Sequence, residues 1–145
     1  MQNIMCFEQN DNVMAAETNI YAVIPTRNRL DMVTKAIASL ISNGIPPEKV
    51  TIVDNASDIP LSAHLLPLWP ELNIIRNYSN CGFAKPANQG INWSLQNGAT
   101  HVLIFNDDAV LSSGVVAAVA RHFESGPNVG IIGCKIVYAS NPEII

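Results

Sequence analysis

Asp107 and Asp108 are adjacent carboxylates that follow Asn106 at the end of the apolar run Val102-Leu103-Ile104-Phe105. Neighbouring carboxylates repel, which is tolerable where both are solvated in a turn or where they share a divalent cation. Two chemistries are therefore open: an Asp-rich turn leading into a helix, or a site where Mg²⁺ or Mn²⁺ bridges carboxylate and phosphate oxygens. A third carboxylate, Asp54, closes the run Val50-Thr51-Ile52-Val53. It can cap a turn through Asn55 and Ser57, or accept the imide N–H of a pyrimidine ring. Arg76 follows another apolar run and can offset phosphate charge, whereas Arg27 and Arg29 also read as solvated loop cations. Gly82 either lets the backbone approach a ligand closely or simply turns the chain.

The elements that must hold these residues follow from hydrophobic periodicity. Ile20 to Ile24 is a short apolar run closed by Pro25, the pattern of a buried strand. Val33, Ala36, Ile37, Leu40 and Ile41 then share one helical face, and Asn43-Gly44 with Pro46-Pro47 stops that helix. Val50–Val53 is a second strand, Ile59–Pro70 a Pro-rich loop with a short helical piece, and Leu72–Ile75 a third strand. A second long helix spans Ala84–Gln96, stopped by Asn97-Gly98, and Val102–Phe105 is the fourth strand. Ser112 or Ser113 is expected to cap a helix whose core face is Val115, Val116, Val119, Ala120 and Phe123. A last strand is expected at Val129–Gly133, extending towards Tyr138, with Cys134 in the core. Apolar strands alternating with amphipathic helices predict an α/β fold, a mostly parallel sheet covered by helices on both faces.

In such a sheet, ligands bind outside the carboxyl ends of the strands, where strand order reverses. Every carboxyl end here is polar: Pro25 to Arg29, Asp54 to Asp58, Arg76 to Gly82, and Asn106 to Asp108. The opposite ends, at Asn19, Lys49, Glu71 and His101, are ordinary solvated boundaries. This one-sided polarity predicts a site.

Composition narrows the ligand. Of 145 residues, 48% are hydrophobic and 14% charged, with 8 Lys+Arg against 12 Asp+Glu and a net charge of -4. A typical soluble domain carries about a quarter charged residues, so the bulk of the chain should be a single folded domain rich in covered elements. An acidic chain without a basic run does not suit nucleic acid held by phosphate neutralisation. An anionic ligand needs help from a metal or from backbone N–H groups. Three cysteines without C-x-x-C spacing fit neither a disulfide framework nor a zinc site. Met1–Thr18 does not read as a signal peptide, and no run approaches the roughly 20 apolar residues of a membrane span. The expectation is a poorly ordered arm over residues 1–18, a domain over 19–145, and a cytoplasmic location, with peripheral association at the inner membrane face as its variant.

Four stretches together resemble the inverting glycosyltransferases of family 2, which have the GT-A fold, and especially their rhamnosyltransferase-like members. They are Val23-Ile24-Pro25-Thr26-Arg27-Asn28-Arg29, Ile52 to Ser57, Asn80-Cys81-Gly82-Phe83-Ala84 with Asn88 and Gly90, and Phe105 to Ala109. The segment Val129 to Ile136 is also similar. The resemblance implies that Pro25 and Thr26 line a nucleoside pocket bordered by Arg29, and that Asp54 recognises the base. Asn80, Gly82, Ala84 and Asn88, on the loop and helix start, would belong to the nucleotide site, to which Arg76 is assigned by its own position after a strand and not by the resemblance. Asp108 would be the main ligand of Mg²⁺ or Mn²⁺, and Asp107 would lie near the ribose or the metal's water shell. Lys85-Pro86 departs from the small residues usual after the Gly-Phe-Ala turn.

The implied reaction is a single displacement with inversion, from a UDP- or dTDP-sugar to a hydroxyl of an acceptor glycan or lipid-linked glycan, in cell-surface polysaccharide or glycan synthesis. In that family the acceptor half and the catalytic base lie beyond the strand that here ends near Tyr138. The chain therefore reads as a truncated, donor-nucleotide-binding portion without an assignable base, Glu124 and Glu143 being poorly placed. The alternative is a non-catalytic nucleotide or nucleotide-sugar binding module. A phospho-receiver fits less well, because receivers gather acids after the first and third strands. Apolar residues such as Ile144 and Ile145 suggest self-association into a homo-oligomer.

Overall fold

The computed structural model describes residues 18–126 and 128–138. The expectations placed on residues 1–17, on Glu143 and on Ile144 and Ile145 lie outside the described residues. Four strands alternate with helices: β1 (Ile20–Thr26), β2 (Val50–Asn55), β3 (Asn73–Asn77) and β4 (His101–Ile104). The helices are α1 (Leu30–Ser42), the single turn α2 (Ser62–Leu65), α3 (Ala84–Gln96) and α4 (Val115–Ser125). All strand pairs are parallel, in the order β3-β2-β1-β4. The chain steps outward from β1 to β3, and α3 then carries it back to β4 on the other side of β1. Strand order thus reverses at β1.

Alternation along the strands sends side chains to two covered faces. Ala22 and Ile24 of β1, with Val50 and Ile52 of β2, join Val33, Ala36, Ile37 and Leu40 of α1 and Leu61 and Leu65 around α2 in one buried cluster. On the other face α3 lies close over β1. A Cβ built on Gly90 would meet Cγ1 of Val23 at 2.2 Å, so only a glycine admits the helix at this depth. Tyr21 and Trp93 flank that contact, with ring centroids 6.3 Å apart. Helix α1 ends as its sequence indicates: Gly44, at φ 92°, donates its N–H to the Ile41 carbonyl.

Four local expectations need correction. β3 runs over Asn73–Asn77 rather than Leu72–Ile75, because pairing with Thr51–Asn55 of β2 sets its register and carries it into polar residues. The segment Val129–Gly133 forms no strand among the described residues, where only a bridge at Tyr138 is found, since an apolar run without a paired edge gains no ladder. Cys134, expected in the core, is exposed. Helix α4 begins at Val115 after Gly114, which has φ 82°, and neither Ser112 nor Ser113 caps it through a side-chain hydrogen bond. None of its residues is fully buried; Phe123 covers His101 at a centroid distance of 4.0 Å.

Candidate functional site at the strand-order reversal

The carboxyl ends of β1 and β4 are tied together by one buried contact. Thr26 Oγ1 donates to Asp107 Oδ2 at 2.8 Å. Thr26 is the last residue of β1 and Asp107 lies three residues beyond β4, so the bond spans the point where strand order reverses. Arg29, just ahead of α1, adds a second tie. Its Nη1 donates to Asp107 Oδ1 at 3.1 Å and to Asp108 Oδ2 at 3.2 Å. Asp107 is thereby buried with both oxygens engaged, whereas the Asp108 side chain is 52% exposed.

The loop carrying Arg29 is fixed to the loop after β2. Asn28, in the left-handed region at φ 57°, donates its backbone N–H to Ser57 Oγ at 2.9 Å. Its side-chain amide donates to Asp58 Oδ2 at 3.1 Å and accepts the Asp58 N–H at 2.8 Å. Arg27 Nε donates to the Ala56 carbonyl at 3.1 Å. Asparagine tolerates this backbone conformation because its short polar side chain bonds locally.

The third wall comes from the loop before α3, organised by Asn55. Asn55 Nδ2 donates to Asn80 Oδ1 at 2.8 Å and to the Gly82 carbonyl at 3.0 Å, and Oδ1 accepts the Cys81 N–H at 3.1 Å. Gly82 sits at φ 72° with open space where a Cβ would be, so its glycine serves the turn and not a steric approach. These loops enclose an open cleft of about 390 Å³ lined by Pro25, Thr26, Arg27, Arg29, Asn55, Asn80, Gly82, Phe83 and Asn106–Asp108.

Seven of the residues singled out by sequence therefore share this cleft: Pro25, Thr26, Arg29, Asn80, Gly82, Asp107 and Asp108. Asp54 and Arg76 are brought together, but with each other. The Arg76 guanidinium donates to Asp54 Oδ2 and, at 2.9 Å, to the Ser57 carbonyl. Asp54, only 1% exposed, also accepts the N–H groups of Ser57 at 2.8 Å and Leu61 at 3.2 Å. Burial alone would raise this carboxyl; the hydrogen bonds from Ser57 and Leu61 and the charge of Arg76 outweigh it and hold the group below the ordinary value of 3.8. Ala84 and Asn88 are exposed on α3 and do not line the cleft.

Four lining residues are not assigned to the site from sequence: Arg27, Asn55, Phe83 and Asn106. Asn55 was available from strand alternation, since it must point to the face opposite Asp54 and so towards α3. Phe83, 57% exposed at the cleft wall, offers a large apolar surface where burial would favour a buried position.

A divalent cation can be tested against this donor set. Among the described residues no group of three or more His, Cys, Asp and Glu side chains converges. Asp108 keeps an oxygen outside the Arg29 contact, and Asp107 lies beside it. Mg²⁺ is usually held by one or two carboxylates together with phosphate oxygens and water. The residues present fit an ion completed by a phosphorylated ligand, and do not form a closed protein cage.

An open parallel sheet with a polar cleft over its order reversal places the chain among doubly wound α/β domains that bind ligands at the carboxyl ends of their strands. The family follows from sequence comparison. The family model described as glycosyl transferase family 2 matches residues 21–144, and the chain belongs to that family. No curated protein gives a significant match. Among solved structures, S. aureus TarS 1-349 in complex with UDP-GlcNAc is similar at TM-score 0.62 and 19% identity, over 74% of this chain and 31% of TarS 1-349. Its complex with UDP gives the same score and identity. The mannosyltransferase PcManGT from Pyrobaculum calidifontis, in complex with GDP-Man and Mn²⁺, matches at TM-score 0.58 and 20% identity, over 72% of this chain and 32% of that one. The chain has the GT-A fold and spans about a third of the length of these structures.

Proposed function

We propose that the cleft binds the nucleoside diphosphate portion of a sugar donor, and that the chain is the donor-binding part of an inverting glycosyltransferase. The reading rests on one observation above the others: Thr26, Arg29, Asp107 and Asp108 converge at the strand-order reversal, held from β1 and β4. Family membership supports the reaction class. The UDP-GlcNAc, UDP and GDP-Man of the similar structures support a nucleotide-sugar ligand.

Each wall has a role in that reading. The Asn55-organised loop and the Asn28 clamp fix the cleft before ligand arrives, which lowers the entropy cost of binding. Arg27 and Arg29 place cationic charge at a cleft in an acidic chain, suited to a diphosphate. Phe83 supplies an apolar wall to one side of it. Asp108, with Asp107, would hold Mg²⁺ or Mn²⁺, whose contribution when bound is to neutralise charge on the departing diphosphate. A sugar hydroxyl attacking the anomeric carbon must lose a proton to a base. Among the described residues the carboxylates lining the cleft are Asp107 and Asp108, both hydrogen-bonded to Arg29 and both assigned here to the metal, so neither is left to serve as that base. That observation favours a second reading for the chain alone, a nucleotide-sugar binding module without turnover. Acceptor glycan or lipid-linked glycan, a role in cell-surface polysaccharide synthesis, a cytoplasmic or membrane-peripheral location and homo-oligomerisation remain parts of the proposal.

Calorimetric and thermal-shift titrations with UDP, dTDP and GDP, each with and without Mn²⁺, test the donor site. At least one nucleotide should stabilise the chain in the presence of Mn²⁺, and Asp108→Ala should remove the metal-dependent part. Absence of stabilisation by all three nucleotides with Mn²⁺ overturns the reading. Sugar transfer to an acceptor by the purified chain separates the enzyme from the binding module.

A further inference from the structure

A single nitrogen, Arg29 Nη1, lies 3.1 Å from Asp107 Oδ1 and 3.2 Å from Asp108 Oδ2. Two oxygens from adjacent carboxylates therefore converge on one point, and a guanidinium occupies it. Asp107 has no other free oxygen, because Thr26 holds Oδ2. The remaining accessible oxygen belongs to Asp108, whose half-exposed carboxylate faces water at the mouth of the cleft.

We infer that Arg29 is an internal counterion that keeps divalent metal off Asp107 and Asp108 until a diphosphate arrives, and so makes metal and nucleotide bind together. This rests on the donor-site reading for the identity of the second ligand. Like-charged carboxylates side by side are stabilised by either cation. A guanidinium donates to both oxygens and neutralises one of the two charges, so a hard cation arriving alone must displace it or accept fewer ligands. A diphosphate offers Arg29 an alternative anionic partner that matches its planar donor fork. Once Arg29 turns to it, both carboxylate oxygens are released to the metal. Each ligand thus removes an obstacle to the other, and such coupling is reciprocal by linkage.

The loop geometry allows this exchange without refolding. Asn28 anchors the backbone through Ser57 and Asp58, while the Arg29 side chain is 51% exposed and bonds both aspartates through Nη1, at its tip. The anchor stays while the long side chain reorients.

Mn²⁺ binding to the 145-residue chain, read by electron paramagnetic resonance of free Mn²⁺ or by calorimetry, tests the inference. Four titrations are needed: wild type and Arg29→Met, each with Mn²⁺ alone and with Mn²⁺ in the presence of UDP. Arg29→Met should bind Mn²⁺ alone about tenfold more tightly than wild type, and the enhancement of Mn²⁺ affinity by UDP should shrink by a similar factor, within the range usual for coupled sites. Arg29→Gln, with melting temperature checked for both variants, guards against an effect of the methionine itself. Unchanged or weaker Mn²⁺ binding in both folded variants overturns the inference, even where wild type binds UDP with Mn²⁺ and the donor-site reading stands. Where wild type binds no UDP, the same titrations are run with dTDP and GDP. If none of the three binds in the presence of Mn²⁺, the donor-site reading fails and the coupling inferred here fails with it, whereas a nucleotide that binds but leaves Mn²⁺ affinity unchanged overturns the coupling alone.

Discussion

Thr26 Oγ1 donates a 2.8 Å hydrogen bond to Asp107 Oδ2 across the strand-order reversal, joining two residues 81 positions apart in a buried contact. Thr26 is held in register by the parallel pairing of β1 with β2, where it stands beside Asp54. Asp107 belongs to the turn after β4, whose Phe105 N–H donates to the Val23 carbonyl and continues the sheet by one residue. The bond therefore fixes the acidic turn against the rigid centre of the sheet.

Thr26→Val keeps the shape of the side chain and removes its donor, leaving one Asp107 oxygen buried without that partner. The expected loss is about 1–3 kcal/mol in unfolding free energy, measured by urea denaturation. Thr26→Ser, which restores the hydroxyl, should recover most of it. Equal stability of the valine and threonine proteins would show that the contact contributes nothing.

Gly90→Ala tests how closely α3 lies on β1. The new methyl would stand 2.2 Å from Cγ1 of Val23, which is packed in the sheet and cannot swing into solvent. Overpacking of this kind costs about 1–3 kcal/mol, more than the helix propensity alanine would return. A lowered melting temperature is expected, with partial recovery in the double variant Gly90→Ala with Val23→Ala.

Asn55→Ala removes the side chain that holds Asn80, Cys81 and Gly82 at once. The loop should then be ordered only on ligand binding. Under the donor-site proposal, nucleotide affinity in the presence of Mn²⁺ falls about tenfold, equivalent to about 1.4 kcal/mol. Calorimetry reads the affinity, and limited proteolysis should show faster cleavage between Asn80 and Phe83. Unaltered affinity would remove this loop from the site.

Much of this architecture was readable in the residues, for identifiable reasons. Strands covered on both faces carry apolar runs, so β1 and β2 stand out; β4 stands out by its apolar run as well, although Ile104 is exposed in the structure, and the polar residues after each strand collect at one end by the parallel topology alone. The Val33, Ala36, Ile37 and Leu40 stripe fixed the core face of α1. Periodicity fails where partners decide. Asn73 enters β3 through its pairing with Thr51, despite its polarity, and the apolar Val129–Gly133 run forms no ladder in the described structure. Asp54 illustrates a second limit: turn cap and ligand reader need the same carboxylate after a strand. Only the positions of Ser57, Leu61 and Arg76 reveal that its oxygens are engaged.

Those engaged oxygens make Asp54 a source of pH-dependent stability. Its carboxyl titrates below the ordinary 3.8 in the folded chain, burial opposing and the Ser57 and Leu61 hydrogen bonds with Arg76 prevailing. Between that lowered value and the unfolded one, the unfolded chain binds more protons, so stability falls as pH falls. The contribution is complete above about pH 5 and disappears as pH drops through the folded value. Asp54→Asn keeps the size but removes the charge, so its stability deficit against wild type should be constant from pH 5 to 7 and shrink towards pH 3. Arg76→Met leaves the buried carboxylate without its cation and should cost about 2–4 kcal/mol at pH 7, since breaking one side of a buried pair strands the other. Part of that cost should vanish in acid, where a protonated Asp54 no longer needs the guanidinium. Urea denaturation of the three proteins at pH 3, 5 and 7 reads both trends. A deficit of Asp54→Asn that stays the same at pH 3 would mean that this carboxylate is not the group whose protonation weakens the fold.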